Sequence, residues 1–236
     1  MRACYALLLF GCAFLPAALL AQGSGQSSSS GSSTSNSAKH VKKSAGSGSS
    51  LEPGAVLNGV YRNKSLALTC KIPDGWVLRT EEMNAADEDS QAGDSSRAAL
   101  DRTAEGGCPH TCGRVLLAAF SRPPDAKGDE VNSSILIAAE PVAAYPGLTD
   151  AAQYFGPLTE VAKAQGFNED EEPYEFAVGA KKVARADFHR DVGSRVMRQS
   201  TLAFLAHGYA VSITVIAGTE EDVEELVNGV SFAATK

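Results

Sequence analysis

The sequence predicts an α+β fold in which a mainly antiparallel sheet has helices on its faces. Several segments alternate large apolar residues with small or polar ones, and a period of two is typical of half-buried strands. Short turns join most of these segments, which favours antiparallel pairing. Only two segments, one in mid-domain and one near the C terminus, repeat apolar residues at helical spacing, so these helices are expected to cover the sheet.

The C-terminal unit, residues 194–232, predicts strand, turn, strand and helix. Alternation covers residues 196–205 and 209–215, and His207-Gly208 between them suits a tight hairpin turn because glycine accepts a positive φ. Thr219 can cap the helix that follows through its hydroxyl. The apolar stripe of that helix consists of Val223, Leu226, Val227 and Val230.

The first part of the domain predicts a strand, a turn and two further strands. Residues 66–72 alternate, which places Cys70 on one buried face with Leu66, Leu68 and Ile72. Residues 73–76 form a turn by composition, and Trp76 at its end is interpreted as a packing anchor. Residues 115–120 and 134–139 are short apolar runs, and we expect them to be adjacent buried strands.

The middle of the domain predicts a helix and two more strands. Residues 148–166 show helical spacing, with Thr149 as the cap and Gly156-Pro157 as a point where the helix kinks or restarts. Residues 174–178 and 183–189 alternate on either side of Gly179, which predicts a hairpin.

The N-terminal 50 residues predict export and a tether. Residues 1–21 have an arginine near the start, an apolar run and a small-residue exit, the pattern of a signal peptide. An uncleaved anchor and a lipoprotein acylated at Cys12 are the alternatives. Residues 22–50 are rich in serine and glycine and predict a flexible linker. We therefore expect a periplasmic or extracellular protein without a transmembrane domain after signal cleavage.

Residues 51–236 predict a single domain that carries an acidic insertion at about 81–107. The whole chain has a formal net charge of −7, and its first 50 residues hold four basic and no acidic residues, so the domain carries −11. Such a charge argues against nucleic-acid binding, which needs a basic surface. Asp87, Asp89 and Asp94 of the insertion lack the spacing of an EF-hand, so the segment is interpreted as a solvated, mobile loop.

Three cysteines remain after signal removal: Cys70, Cys108 and Cys112. Because an exported protein meets an oxidising compartment, a structural disulfide is the first expectation. The favoured pairing is Cys108–Cys112 with Cys70 buried as a small apolar residue. A bridge from Cys70 to one of the pair, or a metal or redox site built on Cys108, His110 and Cys112, remains as an alternative.

Two stretches give the domain a family resemblance. Tyr61 and residues 66–76, which end in Pro-Asp-Gly-Trp, resemble the start of PsbP-like domains, and residues 179–187, 208–215 and 230–232 resemble their closing pattern. The resemblance implies an α/β/α sandwich with a central antiparallel sheet. It also implies an accessory, assembly or protein-binding role without catalytic residues, an inference that rests on fold alone.

The function predicted from the sequence is that of an exported, non-enzymatic accessory or protein-binding module of the cell envelope. No motif for a catalytic nucleophile, a zinc protease or a phosphate loop is present, so we predict no catalytic, cofactor-binding or metal-binding residue and no cofactor. The alternative is a thiol-redox or metal-handling protein that uses the Cys108/His110/Cys112 cluster. Asn63 and Asn132 each begin a glycan acceptor pattern.

Overall fold

Two antiparallel sheets and three helices form the domain in a computed structural model, which describes residues 51–85, 113–123, 126, 128, 130–179 and 181–233. The strands are β1 (Ala55–Leu57), β2 (Val60–Asn63), β3 (Leu68–Lys71), β4 (Val77–Leu78), β5 (Arg114–Phe120), β6 (Ser134–Pro141), β7 (Asn168–Glu169), β8 (Tyr174–Val178), β9 (Lys181–Val192), β10 (Arg195–Ala206), β11 (Tyr209–Ala217) and β12 (Val230–Phe232). The helices are α1 (80–85), α2 (Phe155–Ala164) and α3 (Glu220–Asn228), with 3-10 turns at Val142–Ala144 and Ala152–Tyr154. The predicted α+β class is confirmed.

The strands divide into a small and a large sheet. The small sheet has the order β1-β2-β3-β12, and the large sheet has the order β4-β5-β6-β11-β10-β9-β7, with β8 also paired to β9. Every pairing between described strands is antiparallel. The sequence predicts one central sheet, whereas the structure has two, so this part of the prediction is wrong. The first three strands form the small sheet, in which β3 pairs with the last strand, β12, and none of the three pairs with a long central strand.

Each face of the large sheet has its own hydrophobic core. On one face, residues such as Leu202, Val211 and Ile213 pack with the inner side of the small sheet and with the apolar stripe of α3. On the other face, small residues such as Ala184 and Ala203 pack against α2. Alternate residues of the long strands serve the two cores, as the period of two requires. The small sheet and α3 thus share one layer, and α2 lies in the opposite one.

The C-terminal unit follows its prediction closely. Strands β10 and β11 pair from Arg198↔Ala217 to Ala206↔Tyr209, and the turn between them has φ values of 53° at His207 and 80° at Gly208. The Thr219 hydroxyl accepts a hydrogen bond from the Asp222 N–H at 3.1 Å, so the predicted cap is confirmed. Helix α3 ends at Asn228, and the fourth member of the predicted stripe, Val230, belongs to β12.

The central helix begins later than its sequence pattern predicts. Helix α2 starts at Phe155, which puts Pro157 in its first turn, where the missing N–H has no intrahelical partner in any case. The preceding residues form a 3-10 turn, and Thr149 bonds to the side chain of Gln153 and does not cap α2. The alternative in which the helix restarts at Gly156-Pro157 is therefore the observed one.

Helix α1 covers part of the free edge of β5, at the start of the predicted insertion. The Thr80 hydroxyl accepts a hydrogen bond from Ala118 N–H at 2.9 Å. The Asn84 amide donates to Val115 C=O at 3.0 Å and accepts from Val115 N–H at 3.1 Å. Strand β4 is short and pairs only with the end of β5. Over the rest of this edge, the Thr80 and Asn84 side chains take the hydrogen-bonding places of a neighbouring strand. The remainder of the predicted insertion, residues 86–107, lies outside the described residues.

Candidate protein-interaction surface

A buried arginine connects the large sheet to α3. Arg185 lies in β9 on the face that carries α3, and it is only 5% exposed. Its Nε donates to both carboxylate oxygens of Asp187 at 3.0 Å, and its two terminal nitrogens bond to the carboxylate of Glu224 on α3. A buried guanidinium requires such partners because its desolvation is costly. The position of α3 is therefore fixed by charge as well as by apolar packing.

Two aromatic residues of β8 complete this cluster. Tyr174 donates its hydroxyl to Asp187 Oδ2 at 2.7 Å, and the Phe176 ring centroid lies 4.8 Å from Cζ of Arg185. Burial and then the Asp187 bond raise the pKa of Tyr174, so it stays a neutral donor. Burial alone would lower the pKa of Arg185, but the bond to Glu224 and the charge of Asp187 raise it overall. With its partners Arg185 and Tyr174, Asp187 is held as an acceptor in a structural network.

The outer face of α3 is acidic. Glu220, Glu221 and Glu225 are exposed, and together with Glu224 and Asn228 they line a shallow depression on the surface. Acidic residues at the N-terminal end of a helix interact favourably with its dipole, but the last turn holds no basic residue. Among the described residues, Glu224 alone of these acids has an ion-pair partner. The face therefore presents uncompensated negative charge at a fixed place.

Of the predicted cysteine candidates, Cys70 alone lies among the described residues. It is fully buried in the core on the large-sheet side of β3, and its thiol is free. Burial raises the pKa of the Cys70 thiol to about 12, so it stays protonated and unreactive at neutral pH. This agrees with the interpretation of Cys70 as a small apolar residue. Cys108, Cys112 and His110 lie outside the described residues, and their pairing stays a prediction.

His189 and His207, the two histidines among the described residues, make structural contacts. His189 Nδ1 pairs with the Asp170 carboxylate at the surface. His207 Nε2 lies 2.8 Å from the Ser65 carbonyl oxygen, so it donates there and ties the β10–β11 turn to the turn before β3. Within the described part of the chain, no group of three or more histidine, cysteine, aspartate or glutamate side chains is arranged to hold a metal ion.

Both predicted glycan acceptors are engaged within the fold. Asn63 is 1% exposed, and its Nδ2 donates to the Glu52 carbonyl at 2.7 Å. Asn132 is half-buried, and its Nδ2 donates to the Arg122 carbonyl at 3.1 Å. A glycan replaces one hydrogen of the amide nitrogen, and Asn63 Nδ2 uses both of its hydrogens, for Glu52 and for Tyr61. At Asn63 the sugar would also have to enter the core. Glycosylation of folded Asn63 is therefore excluded on steric grounds.

A second polar cluster, at the end of β6, was missed by the sequence analysis. The hydroxyls of Tyr145 and Tyr154 both donate to Glu140 Oε2, and the two rings meet edge to face with centroids 5.2 Å apart. Burial, followed by the Glu140 charge, raises the pKa of Tyr154. The cluster fastens the connection before α2 to the sheet. The only sign of this cluster in the sequence is a single glutamate at the end of an apolar strand. That sign does not show which residues contact the glutamate.

The Arg185 cluster was missed as well, although part of its signal is local. The alternation of residues 183–189 places Arg185 on the same face as Val183, and a charged residue on a buried face requires a partner. Glu224 lies 39 residues further along the chain, and its role depends on which strands α3 covers. No helix within the described residues is long and apolar enough to cross a membrane.

Comparisons with known proteins give a distant fold likeness. No family model matches the chain, and no curated protein matches it significantly. Among solved structures it is similar to PA94 of Pseudomonas aeruginosa, a protein of unknown function, with 13% identity, 47% of this chain and 80% of that chain covered, and a TM-score of 0.34. It is also similar to LpqN of Mycobacterium tuberculosis, a protein involved in cell envelope biogenesis, with 8% identity, 71% and 83% coverage, and a TM-score of 0.33. Membership of the PsbP-like family stays a prediction.

Proposed function

We propose that this chain is an exported accessory module that binds a protein partner in the cell envelope and catalyses no reaction. The signal pattern of residues 1–21 and the serine- and glycine-rich segment 22–50 support export and tethering. The observation that carries the binding role is the exposed acidic face of α3, defined by Glu220, Glu221 and Glu225.

This face has a cost to the isolated protein. Glu221 and Glu225 lie four residues apart on one side of the helix, and like charges at that spacing destabilise a helix by about 0.2–0.5 kcal/mol. Glu220 and Glu224 repeat the spacing, although Arg185 neutralises Glu224. Locally unfavourable choices are expected where a surface serves function. A positively charged partner surface would remove the repulsion.

The position of the face also favours binding. Val223, Leu226 and Val227 anchor α3 in the core, and the Arg185–Glu224 contact fixes it laterally. A partner that meets a rigid helix loses less conformational entropy than one that must order a loop. The thiol-redox or metal alternative depends on Cys108, His110 and Cys112, which lie outside the described residues, and no described contact favours it.

Site-specific photo-crosslinking in the exported full-length chain tests the proposal. A photoreactive residue replaces Glu225, and a second variant carries it at Arg195, which is exposed at the β9–β10 turn. We expect a discrete cross-linked protein from position 225 and none from position 195, with the product identified by mass spectrometry. Equal labelling from both positions, or none from position 225, would contradict binding by α3. An enzymatic activity of the pure protein that one point substitution abolishes would contradict the non-catalytic role.

A further inference from the structure

The outer face of the small sheet is basic and partly apolar. Its residues alternate with the buried Tyr61, Leu68 and Cys70, and they are Ala55, Leu57, Val60, Arg62, Thr69, Lys71 and Ser231. Arg62 and Lys71 are exposed, Leu57 is 65% exposed, and the face contains no acidic residue. Neither cation has an ion-pair partner among the described residues. The two unpaired cations and the exposed leucine leave this face suited to a partner surface of negative charge.

This basic face and the acidic face of α3 point in the same direction. The small sheet and α3 both pack on one core, and hence on one face of the large sheet, so their outer sides both face away from it. Helix α3 leads through Gly229 directly into β12, the edge strand of the small sheet. One side of the domain therefore carries a negative patch and a positive patch next to each other.

We propose that a second copy of this chain covers this side, in a two-fold symmetric dimer. The two-fold axis of this dimer lies in the plane between the two copies, and it is perpendicular to the line that joins the acidic patch to the basic patch. The rotation therefore reverses the order of the two patches in the second copy. The acidic face of each α3 then meets the basic small-sheet face of its partner, and the contact occurs twice. Such an isologous interface closes on itself and leaves neither patch exposed. The exposed Leu57 and the half-buried Val60 come to lie inside the contact.

The proposal rests on the proposed function and names the partner as a second copy. Opposite charges on facing patches favour the arrangement in which the order of the patches is reversed between the two copies. The arrangement with the same order in both copies would place like charges together. The net charge of each domain opposes the approach of two copies. We therefore expect a dissociation constant on the order of micromolar. Interfaces of standard size range from micromolar to picomolar affinity, so this dimer would be a weak one.

Charge reversal tests the dimer by sedimentation velocity over a concentration series. One variant carries Glu221→Lys and Glu225→Lys, and the other carries Arg62→Glu and Lys71→Glu. Each variant alone places like charges on both contacts, so we expect its dimer to be weaker by about 100-fold. Mixed in equal amounts, the two variants present opposite charges at both contacts, and a heterodimer is expected. The control carries Glu171→Lys and Glu172→Lys in an exposed loop before β8. It changes the net charge by the same amount and in the same direction as Glu221→Lys with Glu225→Lys, and it should dimerise as the wild type does.

Three results would contradict the dimer. A wild-type chain that stays monomeric throughout, reversed variants that dimerise as well as the wild type, or a mixture without heterodimer would each overturn the dimer. Circular dichroism and thermal unfolding of every variant confirm that a monomeric variant is folded. The crosslinking experiment separates this inference from the proposed function. A different protein cross-linked at position 225, together with a monomeric wild type, would keep the binding role and remove the dimer.

Discussion

Arg185 on β9 and Glu224 on α3 form the polar contact between the large sheet and the helix with the acidic face. The Arg185 side chain is 6% exposed and that of Glu224 is 42% exposed, so the arginine bears most of the desolvation. Asp187 and Tyr174 complete its surroundings. The buried cation requires a partner, and the partner is a residue of α3. The same contact therefore determines where the acidic face of α3 lies.

Replacing Arg185 should destabilise the domain strongly. Arg185→Met keeps the length of the side chain but leaves Asp187, whose side chain is 21% exposed, without its cation. A partly buried acceptor that loses its donor costs about 2 kcal/mol. Urea denaturation measures the loss. Lys182→Met is the matched control, because Lys182 is the exposed neighbour of this position and its pair with Glu175 is solvated, so its loss should stay below about 1 kcal/mol. Equal effects of the two substitutions would show that the Arg185 cluster contributes no more than a surface pair.

Asn63 should be important for stability and not for glycosylation. Its Oδ1 accepts the N–H of Leu66 at 2.9 Å, and its Nδ2 donates to Glu52 and Tyr61. Asn63→Ala leaves these buried groups unsatisfied, which costs about 2 kcal/mol. The free energy of unfolding from urea titrations measures this loss. Asn228→Ala, at the exposed end of α3, is the control and should change stability by less than about 0.5 kcal/mol. A loss at Asn63 no greater than at Asn228 would contradict the role of its hydrogen bonds.

The sequence predicts best the elements whose determinants are local. The β10–β11 hairpin follows from alternation and from the His207-Gly208 turn, and the start of α3 follows from Thr219, all within a few residues of one another. The packing role of Trp76 is confirmed as well, since it lies against the core on the small-sheet side. Local chemistry determines these features, so a pattern in the sequence is sufficient to find them.

Features that depend on long-range pairing could not be predicted in this way. Strands β1 and β7 are only three and two residues long, which is too short for alternation to be visible. The small sheet needs β12 to pair with β3, about 160 residues away, and no local pattern specifies that partner. The acidic face of α3 is plain in the sequence, but its position beside the basic face of the small sheet follows only from the layer that both share.

Gly54 and Gly208 should respond differently to the same substitution. Both have positive φ, 78° and 80°, so alanine at either position strains the backbone, at a cost of about 1 kcal/mol. A Cβ on Gly54 would also lie 2.6 Å from the Tyr61 hydroxyl, whereas a Cβ on Gly208 would meet no atom within 4 Å. Tyr61 cannot move easily, because it is buried and donates to the Pro53 carbonyl. We expect Gly54→Ala to cost at least about 1 kcal/mol more than Gly208→Ala by thermal unfolding. Equal losses would mean that Tyr61 yields without cost.

The buried thiol of Cys70 should make the domain lose stability at alkaline pH. Its pKa is about 12 in the folded state against an ordinary value of 9.0, so the unfolded chain loses this proton first as the pH rises. The stabilisation is fully present below pH 9 and is lost between pH 9 and 12.

The alkaline loss can be assigned to Cys70 by substitution. At 1.36 kcal/mol for each pKa unit, we expect the wild type to lose about 3 kcal/mol more than Cys70→Ala between pH 8 and pH 11. Urea titrations in the presence of a reductant measure the difference at each pH. Tyr154 and Tyr174 also have raised pKa values, but Cys70 is not among the causes, so they contribute equally in both proteins. Burial is the main cause of the raised pKa of Tyr61, and the charge of Cys70 adds to it, so this part of the Tyr61 effect is assigned together with the thiol. Parallel stability curves for the two proteins would mean that the Cys70 thiol is solvated in the folded state, and its burial would then be wrong.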